Sequence, residues 1–175
     1  APDSAADALA RTYFWPWYVT ELAALIDWLR EFNADRAPEE QVRFFGFDAQ
    51  YAVGGADALQ PFLADADPAL LETHRETLEM LADWGLDTDD DERFDARVEE
   101  ARSFLDAFRD AVEERRGEYV DATDESRVRR AELHLETMAD AVELRATDSA
   151  VEMLELRDRA MAEGVDRLLE ASPHD

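Results

Sequence analysis

The sequence predicts a mainly α-helical chain, an antiparallel helix bundle with one short strand near 42–47, and three observations carry that expectation. Apolar residues recur at alternating threes and fours over 94–112, 128–142 and 151–168. Helix punctuation flanks these runs, with Asp67-Pro68 as N-cap and first helical residue, Gly85 as a stop and Gly117 as an end or interruption. Only Val42-Arg43-Phe44-Phe45-Gly46-Phe47 has the short, aromatic and β-branched composition of a strand.

Residues 4–12 read as a short helix starting near Ser4, interrupted by the proline of Tyr13-Phe14-Trp15-Pro16-Trp17-Tyr18. Thr20 is placed as the N-cap of a helix of about four turns, with Leu22, Leu25, Ile26, Leu29 and Phe32 on one face, ending near Asn33. A lone strand at 42–47 is not stable by itself. It either packs irregularly or belongs to an α/β body outside this segment, which is the first sign that the chain is a portion of something longer. Gly54-Gly55 opens a helix to about Ala64, and a further helix follows over 68–84. The acidic run Asp87 to Asp91 reads as solvated connector. The stripe Phe94, Val98, Ala101, Leu105, Phe108 and Val112 marks a long helix; Val128, Ala131, Leu135, Met138 and Val142 mark another. The last begins near Asp148 with Val151, Leu154, Met161, Val165 and Leu168. Two regions result: 1–52, an aromatic helix plus strand end, and 53–175, the helical bundle.

Composition limits the function classes. Asp and Glu number 44 against 18 basic residues, all arginine, for a net charge of −26, while 46% of residues remain hydrophobic. That pairing of an acidic surface with an ordinary core fits a protein kept hydrated in molar salt, where repulsion is screened over about 3 Å. A haloarchaeal-type, cytoplasmic setting is expected, and the single Ile26 and single Asn33 agree with the GC-rich coding of such genomes. Without a basic stripe, nucleic acid is not an expected partner, and an anionic membrane surface is repelled. No apolar run reaches 18 residues, and no signal peptide is visible at the N-terminus. The absence of cysteine excludes thiolate nucleophiles, disulfides and cysteine zinc sites.

Few residues carry chemistry. Asp158 falls on the stripe between Leu154 and Met161; either the seam opens to solvent there, or the carboxylate and a neighbouring arginine point into a site shared with another part of the protein. His74 lies on the stripe Leu71, His74, Leu78, Leu81, where a boundary histidine is commoner than a ligand; His134 and His174 have no partner histidine at helical spacing. No metal site and no cofactor is expected. Trp15 and Trp17 line an apolar pocket or plug the bundle end. Asp48 and Gln50 follow the strand's C-terminal end, where α/β sheets bind ligands.

Two blocks resemble the erythromycin esterase family. The first runs from Trp17 through Glu21 and Leu25-Ile26-Asp27-Trp28-Leu29-Arg30-Glu31-Phe32-Asn33 to Val42-Arg43-Phe44-Phe45-Gly46-Phe47-Asp48-Ala49-Gln50. It is similar to the family's Trp…Glu-Val…Leu-x-Trp-Met/Leu-Arg-x-Tyr/Phe-Asn and Val-x-Phe-x-Gly-Phe-Asp-x-Gln. The second, Arg157-Asp158-Arg159-Ala160-Met161-Ala162-Glu163, resembles Arg-Asp-x-x-Met-Ala-Glu-Asn, with Gly164 in place of the asparagine.

The resemblance implies an esterase body with a helical domain beside its cleft. It also implies water activated by a histidine and a glutamate from a Gly-Glu-x-Thr-His-Gly stretch, with a later Trp-Ala-His-Asn-x-His block. Neither stretch occurs in these residues. The carry-over reaches Arg157 and Asp158 as catalytic candidates, Arg157 stabilising the carbonyl oxygen and Asp158 orienting it or the histidine. It also reaches Trp15, Trp17, Asp48 and Gln50 as substrate-binding candidates. The expected partners are the remainder of the same hydrolase and a small-molecule ester. The competing expectation is a stand-alone halophilic helix bundle that binds a partner through its apolar seam without catalysis.

Overall fold

A computed structural model describes residues 4–10, 12, 15–37, 40–83, 86 and 92–170. The chain is mainly helical, with eight α-helices among the described residues. They are α1 (Ala5–Ala10), α2 (Thr20–Asn33), α3 (Val53–Ala66), α4 (Pro68–Thr73), α5 (Arg75–Ala82), α6 (Phe94–Ala122), α7 (Glu125–Ala146) and α8 (Ala150–Glu170), with a 3-10 turn at Trp15–Trp17. The chain divides into two compact units, Ala1–Gly46 with Ser172–Asp175, and Phe47–Ala171. Gly85, the acidic run 87–91 and His174 lie outside the described residues.

In the first unit, α1 packs on α2, and α2 has no buried residue. Trp28 and Phe32, one turn apart, meet at 5.1 Å, and the Arg36 guanidinium caps Phe32 at 3.5 Å. The Asn33 side chain then holds the backbone of Val42 from both sides, donating to its carbonyl at 2.8 Å and accepting from its amide at 2.9 Å. A carboxamide in that position imitates the rung of a β-ladder. The ladder goes no further: 41–49 form no strand, and among the described residues the backbone of 43–47 makes no backbone hydrogen bond. The expectation of a strand at 42–47 is therefore corrected to an extended, unpaired segment. Its composition suits a strand, but a strand exists only through a neighbour, and Phe44, Phe45 and Phe47 are instead exposed.

The second unit holds the main core. Phe104 and Phe108 of α6 stack at 6.1 Å, Phe62 of α3 leans on Phe108, and Leu59, Leu63, Leu78, Leu81, Val128, Met138 and Val142 complete the interior. Gly55 permits the close approach of α3 to α7, since a Cβ there would lie 2.4 Å from Met138 Cγ. Short connections turn α7 back on α6 and α8 back on α7. The α6–α7 seam is lined by a ladder at heptad spacing: Arg102 bonds Glu143 at 2.8 Å, Arg109 bonds Glu136 at 3.4 Å and Arg116 bonds Glu132 at 3.1 Å. Each arginine also holds a second carboxylate, Glu99, Asp106 and Glu125 respectively.

Asp67 is the N-cap expected from Asp67-Pro68 and accepts from the Leu70 amide at 3.1 Å. It is 5% exposed, and its other oxygen accepts from the Tyr119 hydroxyl at 2.7 Å and from Arg115 at 2.6 Å. The interruption of α6 falls at Arg115 (φ −126°, ψ 21°) rather than at Gly117, and Arg115 and Tyr119, four residues apart, reach one carboxylate together. Burial opposes the Asp67 charge, but the bonds from Tyr119, Leu70 and Arg115 outweigh it and hold the carboxyl below its ordinary range. Burial and the bond to Asp67 push the Tyr119 phenol up.

Helix α8 corrects a second expectation. Of the stripe Val151, Leu154, Met161, Val165 and Leu168, with Asp158 in its gap, Val151, Leu154, Asp158 and Val165 are exposed, at 68% for Val151 and 53% for Leu154, while Met161 and Leu168 are half-buried. The inner face is narrow: only Ala160 is buried, with Leu156 packed beside it. Two arginines reinforce that face, Arg167 bonding Asp140 of α7 at 3.1 Å and Arg157 bonding Asp48. Periodicity identified a coherent apolar face; it carried no information on what that face meets.

Candidate functional site

Residues 47–51 form a strap over the groove between α7 and α8. Ala49 is 2% exposed and packs with Leu144 of α7 and Ala160 of α8. A small residue is needed where a strap lies this close to two helices. Burying Ala49 fixes its neighbours, and Asp48 meets Arg157 in a two-point ion pair, Nε to Oδ1 at 3.0 Å and Nη2 to Oδ2 at 2.8 Å. Both side chains are about one-third exposed or more, at 32% for Arg157 and 42% for Asp48. The Asp48 bond is the main reason that the Arg157 pKa is raised, with further support from the charges of Asp48 and Asp158. Nη1 of Arg157 takes no part in the pair.

The sequence-nominated residues thus fall into three groups. Asp48 and Arg157, from motif blocks far apart in the chain, come into direct contact. Asp158 is exposed on α8 beside them, and Gln50 is half-buried on the strap. Trp15 and Trp17 belong to the first unit and are exposed there, at 78% and 53%. The carboxylate that orients Arg157 in this structure is Asp48 rather than Asp158. Gly164 lies near the strap, with a Cβ at that position 3.5 Å from the Phe47 carbonyl oxygen.

Sequence reasoning missed two residues. Tyr51 follows Asp48 by three positions, and its ring lies under the guanidinium of Arg145, 5.5 Å from the ring centroid. Arg145 is the basic residue of the last turn of α7, an available signal that reads first as a dipole effect.

The histidines lie elsewhere. His74 separates α4 from α5 and rests 5.5 Å from the Phe104 ring. Burial lowers its pKa, and burial with the charge of Arg130 lowers that of His134. Among the described residues no group of three or more His, Asp or Glu could hold a metal ion, and no helix is long and apolar enough to cross a membrane. A cleft of about 340 Å³ opens between α6, α7 and α8, but three of its charged lining groups are already engaged, Arg102 with Glu143 and Asp140 with Arg167.

Comparison with curated proteins and with solved structures gives no match. The family model for erythromycin esterase matches residues 1–175, a span that contains both motif blocks and the ion pair joining them, and the chain therefore belongs to the erythromycin esterase family.

Proposed function

We propose that this chain is the helical portion of a hydrolase that cleaves a carboxylic ester or lactone, walling a cleft in which water is activated by a histidine and a glutamate outside these residues. The observation that carries the reading is the Asp48–Arg157 pair. A carboxylate fixes two of the three guanidinium nitrogens, and Nη1 remains to donate to a carbonyl oxygen as it gains charge. A donor pre-set by a rigid partner stabilises that oxyanion without reorganising during the reaction. Asp158, exposed beside it, orients the incoming histidine. Gln50, Trp15 and Trp17 are the substrate-contacting residues of this reading, and the remainder of the same hydrolase covers the outward face of α8 and pairs with 42–47. The acidic, lysine-free composition supports a salt-rich cytoplasm of archaeal type.

The test is hydrolysis of a panel of aryl esters and lactones by the intact protein in molar KCl. Arg157→Ala is expected to lower kcat/KM about 100-fold with unchanged far-UV circular dichroism. No hydrolysis by the unsubstituted protein, or unchanged turnover in Arg157→Ala, would overturn the reading.

A further inference from the structure

The strap that presents Asp48 is held to α8 by the Arg157 ion pair and by the packing of Ala49 on Ala160, and the polar part of that hold is a single, partly exposed pair. A second contact sits three residues further on. Tyr51 is half-buried, and the Arg145 guanidinium covers its ring from the α7 side, whereas Asp48 is gripped from the α8 side. Between the two lies Ala49, sealed against Leu144 and Ala160. Directly after them Ala52 and Val53 are buried, at 8% and 3% exposed, where α3 begins. The strap is therefore held on opposite sides of the groove by two arginines from two helices, one binding a carboxylate and the other a π face. A guanidinium held over an aromatic ring restrains where that ring can sit.

From this arrangement we propose that Tyr51 and Arg145 are positioning residues that fix the Asp48–Arg157 pair, so that the strap is a two-clasp device setting the direction of the Arg157 Nη1. The catalytic consequence rests on the ester-hydrolase reading above; the mechanical part does not. Neither residue touches the reacting atoms in this account. Tyr51 and Arg145 act through Asp48, by denying the strap the rocking motion that a lone ion pair at a partly exposed site permits.

Two variants of the intact protein separate ring from hydroxyl. Tyr51→Phe keeps the face that Arg145 covers, and Tyr51→Leu removes it. Hydrogen exchange in molar KCl reads the clasp directly. Amides of 48–52 are expected to exchange about five-fold faster in Tyr51→Leu than in the unsubstituted protein, with Tyr51→Phe near the unsubstituted rate, while amides of the α6 core stay unchanged in both. Equal protection of 48–52 in all three proteins overturns the proposal whether or not the protein hydrolyses esters. Where hydrolysis is measurable, Tyr51→Leu should lower kcat about ten-fold at nearly constant KM and Tyr51→Phe should restore it. A loss confined to KM, or a Tyr51→Phe as slow as Tyr51→Leu, also overturns it.

Discussion

Replacing Asp67 by alanine removes three bonds at once, and the structure allows each to be weighed. Loss of the N-cap of α4 costs about 1 kcal/mol. The Tyr119 hydroxyl, in a residue 1% exposed, is left buried without its acceptor, which costs about 1.5 kcal/mol. The Arg115 side chain is 39% exposed and can turn to water, so its share is only about 0.5 kcal/mol. The sum is about 3 kcal/mol. In a urea titration followed by far-UV circular dichroism in molar KCl, with a slope of about 2 kcal/mol/M, the midpoint should fall by about 1.5 M.

Asp67→Asn keeps the cap and an acceptor oxygen and should lose about half as much. In Asp67→Ala with Tyr119→Phe, the orphaned hydroxyl is gone, so the double variant should be about 1 kcal/mol more stable than additivity requires. The pH dependence has a definite sign. A carboxyl held below its ordinary value of 3.8 contributes stability that is present above that value and is lost as pH falls through the lower, folded one. The unsubstituted protein should therefore lose more stability on acidification than Asp67→Asn. A midpoint shift below about 0.3 M in Asp67→Ala, or an additive double variant, would refute the account of a shared buried carboxylate.

Two further outcomes follow from packing and charge. Gly55→Val should destabilise by about 2 kcal/mol in the same titration, because its side chain must displace Met138, and Met138→Ala should recover part of that loss; an unchanged midpoint for Gly55→Val would count against the close approach of α3 and α7. The melting temperature should rise by at least about 10 °C between dilute buffer and molar KCl, as screening shortens from about 10 Å to about 3 Å. Equal melting temperatures would remove the argument for salt adaptation.

The helices were legible because their signals are local. Asp67-Pro68 named its own cap, and the stripes of α6 and α7 matched their buried residues, Val98, Ala101, Leu105 and Phe108 in one and Val128, Ala131, Leu135, Met138 and Val142 in the other. Where the outcome depends on a second segment, local signals failed. Composition at 42–47 specified a strand without a neighbour to pair with. The stripe of α8 had the right period, but the helix buries a flanking face centred on Ala160, which the stripe shares only through the half-buried Met161 and Leu168. Arg102, Arg109 and Arg116 stand at heptad spacing in the sequence, yet a charged run reads as a solvated face until the antiparallel α7 supplies carboxylates at matching heights. The candidate site was legible in part for the same reason. Asp48 and Arg157 were each nominated by a motif, whereas their mutual bond, and the stacking of Arg145 on Tyr51, are properties of the folded groove.

The forked arginines of the α6–α7 seam change what the net charge of −26 means. Anions outnumber cations so heavily that positive charge is the limiting component. Each of Arg102, Arg109 and Arg167 is divided between one acid on its own helix and one across a helix boundary, while Arg116 holds two acids of the facing helix, Glu125 and Glu132. A lysine ammonium in those places would conserve the charge but, as a compact point on a flexible stem, would lack the planar span to hold two carboxylates apart at fixed angles. Divided in this way, a small stock of cations crosslinks an acidic bundle: the repelling groups nearest the seams become its fasteners, and the uncompensated ones are left where water and salt can reach them.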